Sequence, residues 1–136
     1  MDKCACRGSF LDRFVQPSIL MVLAHESLHG FSILKRLYQS DVMDYSSLDP
    51  TGLYRTLKKM EEAGLLVSEL DTENPTQPKR IFTITEEGRV CLIFWKDTLL
   101  DYMRRVEALA ASVDEAIRDY PELRDGGSSC GCTRHK

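Results

Sequence analysis

One stretch constrains the fold of this chain more than any other: Leu48-Asp49-Pro50-Thr51-Gly52-Leu53-Tyr54-Arg55-Thr56-Leu57-Lys58-Lys59-Met60-Glu61-Glu62-Ala63-Gly64-Leu65-Leu66. It reads as a helix with both ends marked. Asp49 suits the N-cap, because its carboxylate can accept from the free N–H groups of the first turn. Pro50 suits the first helical position, where its missing N–H costs nothing. Gly64 suits the C′ position, where the chain turns left-handed to close a helix. Between these ends Leu53, Leu57 and Met60 fall on one face at helical spacing, and Thr51, Arg55, Lys58 and Glu62 fall on the other. A helix that buries one side and shows water a small, mostly basic side can lie in a major groove. An ordinary surface helix with solvated lysines has the same pattern, so the flanking segments must decide.

A length of 136 residues suggests one domain with an appended arm, and a 43% hydrophobic content supplies a modest core. The longest apolar run, Ile19-Leu20-Met21-Val22-Leu23-Ala24, is far too short to span a bilayer. The first residues carry charges and cysteines but no signal-peptide apolar core, which places the protein in the cytoplasm as an expectation. The net charge of −3 excludes a globally basic nucleic-acid binder, so any such surface must be a local patch. Four of the five cysteines form two Cys-x-Cys pairs near the ends, Cys4/Cys6 and Cys130/Cys132. In a reducing compartment such pairs point to metal or redox chemistry rather than structural disulfides.

Residues 1–10 form a cysteine-containing tail without periodicity. A first helix is expected from about Pro17 to about Glu26, with room for a preceding turn through Leu11 and Phe14; it is nearly continuous in apolar residues and therefore central. A second is expected from about Gly30, with Phe31, Ile33, Leu34 and Leu37 turned inward and Lys35 and Arg36 near the surface. His29, just before it, reads as a capping or packing histidine. Gln39 to Leu48 reads as a polar loop whose one aromatic is Tyr45. The helix described above comes third.

After Gly64 the periodicity changes. Leu65–Leu70 and Lys79–Ile84 read as two strands joined by a turn-rich loop with two prolines, which makes a β-hairpin. Three helices followed by a hairpin is the order of a winged helix-turn-helix, whose third helix enters the major groove while the hairpin flanks it. Lys79 and Arg80, at the base of the wing, are placed to meet phosphates. The tip, Asp71-Thr72-Glu73-Asn74, is acidic and unsuited to a groove.

Thr85 then caps a long helix whose first turn carries Glu86 and Glu87, favourable at the positive end of the dipole. Leu92, Trp95, Leu99, Tyr102, Val106, Leu109, Val113, Ala116 and Tyr120 follow in steps of three and four, a sustained heptad pattern. The winged domain needs no such arm for its own core, so a homodimer is expected. Pro121 ends the helix. The expected class is thus mainly α with a small β-hairpin: a tail (1–10), a winged domain (11–85), a dimerisation helix (86–121) and a cysteine-containing tail (122–136).

Four segments resemble the PadR family of bacterial transcription regulators: Ile19–Ala24; Leu28-His29-Gly30-Phe31-Ser32-Ile33; Leu53–Leu66; and Phe82-Thr83-Ile84-Thr85-Glu86-Glu87-Gly88-Arg89. Phe31 stands where the family usually has Tyr, and the cysteine tails lie outside the usual pattern. The resemblance implies a dimeric repressor on a partly palindromic double-stranded operator, with Tyr54 and Arg55 helping to dock the recognition helix. It also implies, for some members, a small aromatic effector between the dimer helices, which Phe94, Trp95 and Tyr102 would line here.

The candidate DNA-binding residues are therefore Thr51, Gly52, Tyr54, Arg55, Lys58, Lys59, Lys79 and Arg80. The alternative is a winged-helix protein–protein module without DNA contact. No nucleophile–base–orienter set, Gly-rich phosphate loop or His/carboxylate metal motif points to an enzyme. Cys4, Cys6, Cys130 and Cys132 supply four soft ligands for zinc, Cu(I) or an iron–sulfur cluster, or the two halves of a thiol–disulfide switch. Release of the operator would follow from effector binding or from a change at these cysteines.

Overall fold

The computed structural model describes residues 14–73, 76 and 79–120. In chain order the elements are α1 (Val15–Leu23), β1 (Leu28–His29), α2 (Gly30–Gln39), α3 (Pro50–Glu62), β2 (Leu66–Asp71), β3 (Lys79–Ile84) and α4 (Glu86–Ala116), with a closing 3₁₀ turn at Ile117–Asp119. The described chain divides into two units, residues 14–95 and residues 96–120. The first is the three-helix and sheet body together with the opening turns of α4; the second is the rest of that helix and its 3₁₀ turn.

The body is built around Ile19, Leu20, Ile33, Leu37, Leu53, Leu57, Met60 and Leu66, all fully buried. Each helix contributes one apolar face, and Leu66, Phe82 and Ile84 close the core from the sheet. Cys91, Leu92 and Trp95, on the opening turns of α4, pack against the same cluster. Pro17 is tolerated inside α1 because it stands in the first turn, where backbone N–H groups have no intrahelical partner.

Four features differ from the sequence expectations. Helix α1 starts earlier and ends at Leu23, and Ala24–His25 form a turn that leads into β1. Strand β1 is an unexpected third strand: Leu28 pairs with Phe82 and His29 with Ile81, giving the antiparallel order β1-β3-β2. Phe31 is 63% exposed rather than inward. At 100° per residue it stands about 110° from the middle of the face that Ile33, Leu34 and Leu37 bury, with Leu34 its nearest neighbour on that face, so it falls on the edge toward solvent. Tyr45 is buried rather than part of a solvated loop. Its hydroxyl lies 2.8 Å from that of Ser18 on α1. Because the Ser18 proton goes to the Phe14 carbonyl at 2.7 Å, Tyr45 donates and Ser18 accepts.

Helix α4 is 31 residues long, about 46 Å at the usual rise. Thr85 caps it, accepting from Gly88 N–H at 2.9 Å. Of the heptad residues on its outer part, Leu99, Tyr102, Val106, Leu109 and Val113 are exposed in the single chain. No helix among the described residues is long and apolar enough to cross a membrane.

Candidate nucleic-acid interface

Helix α3 has the ends that its sequence announces. Asp49 Oδ1 accepts from Gly52 N–H at 2.7 Å, and Gly64 takes φ +83° just beyond the last turn. Gly52 is useful here as well: a Cβ on it would stand 3.0 Å from the capping oxygen, tighter than usual. With Leu53, Leu57 and Met60 buried, the angle of the helix is fixed about its own axis. Thr51, Tyr54, Arg55, Lys58 and Lys59 are then all exposed, and Gly52 is half-buried. The exposed face so defined carries the Arg55, Lys58 and Lys59 cations in little more than one turn.

Tyr54 is placed by a glycine. A Cβ on Gly30, the first residue of α2, would lie 2.4 Å from the Tyr54 ring. A side chain at residue 30 would push the half-exposed Tyr54 ring off the start of α2.

The wing hairpin is a regular antiparallel pair running from Leu66↔Ile84 to Asp71↔Lys79. Strand alternation sends Lys79 and Arg80 to opposite faces. Arg80 shares a face with Ser68, Phe82 and Leu66, the face that covers the core and the end of α3. Lys79 shares the other face with Asp71, its register partner. His29 reaches across that second face, its Nε2 3.0 Å from Asp71 Oδ2. The hydrogen bond from Glu73 N–H and that from His29 hold the Asp71 carboxyl below its ordinary value of 3.8, with the Lys79 charge adding to the effect. His29 thus precedes α2 as its N-cap residue, without a side-chain cap bond, and pins β1 to the wing instead.

Charge is divided between the parts of the molecule. Helix α4 holds seven acidic residues against four basic ones, an excess of three that equals the net charge of −3 for the whole chain. The rest of the chain is thus neutral in sum, and the exposed face of α3, with Arg55, Lys58 and Lys59 against Glu62, is locally basic.

Of the aromatic residues expected to meet an effector, Trp95 packs against the body core, while Phe94 and Tyr102 are exposed on α4. Cys4, Cys6, Cys130 and Cys132 lie outside the described residues. Among the described residues no cluster of His, Cys, Asp or Glu is arranged to hold a metal ion, and Cys91 is a free thiol.

A family model, the transcriptional regulator PadR-like family, matches residues 19–92, from α1 through the start of α4. The chain belongs to the PadR-like family of transcriptional regulators. Solved PadR structures share its fold. A PadR-like transcriptional regulator from Bacillus cereus aligns with a TM-score of 0.64 at 17% identity, over 76% of this chain and 97% of that one. A PadR family transcriptional regulator from Eggerthella lenta aligns with a TM-score of 0.60 at 24% identity, over 74% and 85%. One from Clostridium difficile gives 0.58 at 19%, over 72% and 98%. No match was found among curated proteins. The winged architecture expected from three helices and a hairpin is thus the PadR winged-helix fold, mainly helical with a small antiparallel sheet and a long C-terminal helix.

Proposed function

We propose that this PadR-like regulator is a homodimeric repressor that reads a partly palindromic DNA operator through the exposed face of α3. The observation that carries the reading is the fixed rotation of that helix. Leu53, Leu57 and Met60 are wholly buried, so Thr51, Arg55 and Lys58 have no orientation open to them except outward. An exposed helix of this kind presents side chains to base edges, and Arg80 and Lys79 on the wing are within the part of the fold that follows the phosphates. A protein-binding module without DNA contact has no need of three cations within little more than one turn.

The dimer is supported by the exposed apolar stripe Leu99, Val106, Leu109 and Val113 on α4, which a second copy would cover. Two recognition helices related by a two-fold axis would read inverted half-sites. Regulation by a small aromatic effector near Phe94, Trp95 and Tyr102, or by zinc, Cu(I), an iron–sulfur cluster or thiol oxidation at Cys4, Cys6, Cys130 and Cys132, belongs to the same proposal. Metal content of protein purified without air, with the Cys130→Ser/Cys132→Ser variant as control, tests the second of these.

Selection of bound duplexes from a random library tests the function itself. The expected product is an enriched sequence with two inverted half-sites about one helical turn apart, or a multiple of it. A library that returns unenriched would overturn the proposal.

A further inference from the structure

The wing arginine is tied to the recognition helix through a serine. Arg80 donates from an Nη to Ser68 Oγ at 3.1 Å. Ser68 passes its own proton on, donating to Glu61 Oε2 at 2.8 Å. Glu61 stands in the last turn of α3, Ser68 on β2 and Arg80 on β3, so the three groups cross from helix to wing in two hydrogen bonds. The strand register makes this reach natural: Ser68 is opposite Phe82, which leaves Arg80 as its diagonal neighbour on the same face.

From this geometry we infer that Ser68, set by Glu61, is a positioning residue for Arg80, holding the guanidinium on the recognition-helix side of the wing for a DNA phosphate. The inference rests on the DNA-binding reading above. A hydroxyl fits the middle place because it can accept one hydrogen bond and donate another. Alanine does neither, and a carboxylate at 68 would draw Arg80 into an ion pair. Arg80 is exposed and long, so without a tether its guanidinium would be spread over many rotamers, and ordering it on DNA would cost side-chain entropy. One N–H committed to Ser68 removes part of that cost and leaves the rest of the five-donor fork for a phosphate. Glu61 acts on Arg80 only through Ser68, holding the hydroxyl in the rotamer that receives it. Lys79, on the opposite face beside Asp71, has no such tether to α3.

The test is a double-mutant cycle read on affinity for a duplex of mixed sequence, since phosphate contacts are sequence-independent. Wild type, Ser68→Ala, Ser68→Thr, Arg80→Ala and Ser68→Ala/Arg80→Ala are titrated at two salt concentrations, and thermal melts are recorded on the same proteins. Arg80→Ala is expected to reduce the slope of log affinity against log salt by about one. Ser68→Ala is expected to weaken binding about threefold to tenfold. Ser68→Thr, which keeps the hydroxyl in a strand position suited to it, is expected to restore it. In the Arg80→Ala background the Ser68 change is expected to have no further effect on affinity, whatever it does to the melt. A Ser68→Ala protein that binds as wild type, or one whose loss persists undiminished without Arg80, overturns the relay alone. A wild type without salt-dependent binding to the duplex overturns the DNA reading and the relay with it.

Discussion

The hydroxyl of Thr85 donates to the carbonyl of Gly64 at 2.7 Å. The same oxygen accepts from Gly88 N–H at 2.9 Å, and Thr85 N–H bonds the Leu65 carbonyl at 3.1 Å. One residue therefore joins the end of α3 to the start of α4. Gly88 makes the joint tight: a Cβ there would lie 2.3 Å from the Leu65 carbonyl oxygen, which is backbone and cannot swing aside. Thr85→Ala should cost about 1–2 kcal/mol through the lost cap and the lost bond to the Gly64 carbonyl. Thr85→Ser should recover most of that, and Gly88→Ala should cost more than Thr85→Ala. Chemical denaturation at one protein concentration measures all three. Equal stability of Gly88→Ala and wild type would contradict this close approach.

A second joint lies inside the core, between Ser18 and Tyr45. Tyr45→Phe keeps the ring and removes only the donor to Ser18, so a loss of about 1 kcal/mol is expected. Tyr45→Ala removes the ring as well and should cost about 3–5 kcal/mol. If the Phe variant were as unstable as the Ala variant, the hydroxyl rather than the ring would carry the contribution.

The Asp71 carboxylate, held first by Glu73 N–H and then by His29, contributes to the acid limb of the stability profile. The Asp71 carboxyl is held below its ordinary 3.8, so the folded state binds its proton more weakly than the unfolded state does. The stabilisation is thus fully present above 3.8 and is lost as pH falls through the lower folded value. Thermal melts of wild type and Asp71→Asn, taken from neutral to strongly acid pH, should show a gap that narrows only below that ordinary value. A gap that stays constant throughout would exclude a titrating carboxylate as its source.

Much of this architecture is written locally, and what is not written locally is what the sequence conceals. Asp49, Pro50 and Gly64 announce the ends of α3 because caps act over three or four residues, and the buried Leu53, Leu57 and Met60 follow from helical spacing. Thr85 is legible as a cap for the same reason, but its bond to Gly64 is not, because it spans 21 residues. Strand β1 has two residues, too few for alternation to show, and exists through its pairing with β3. Tyr45 sits in a polar stretch whose partner is 27 residues earlier. Among the candidate interface residues, the outward facing of Thr51, Arg55 and Lys58 is legible from one helical wheel. The opposite facing of Lys79 and Arg80 needs only strand alternation, yet the roles of Ser68 and Glu61 need the register and so had no signal in the sequence. Phe31 is apolar yet exposed, because it stands on the edge of the face that α2 buries and no other element among the described residues covers it.

The homodimer is tested at Leu99, half-exposed on the α4 stripe in the single chain. Leu99→Asp places a charge in the seam between two copies and should yield monomer or aggregate, with DNA binding lost. Wild type should sediment as a dimer at micromolar concentration. A well-folded wild-type monomer under those conditions would contradict the proposed assembly.

In the proposed mode of binding, the exposed face of α3 meets the operator, and Arg55 stands near its middle. The decisive measurement is a titration of wild type, Arg55→Ala and Lys79→Ala against the selected operator duplex and against a duplex of mixed sequence. Arg55→Ala is predicted to weaken operator binding by about 1–3 kcal/mol and to narrow the margin over the mixed duplex. Lys79→Ala is predicted to weaken both by a smaller and nearly equal amount. Operator binding by both variants at wild-type strength would contradict the claim that this protein meets DNA with α3.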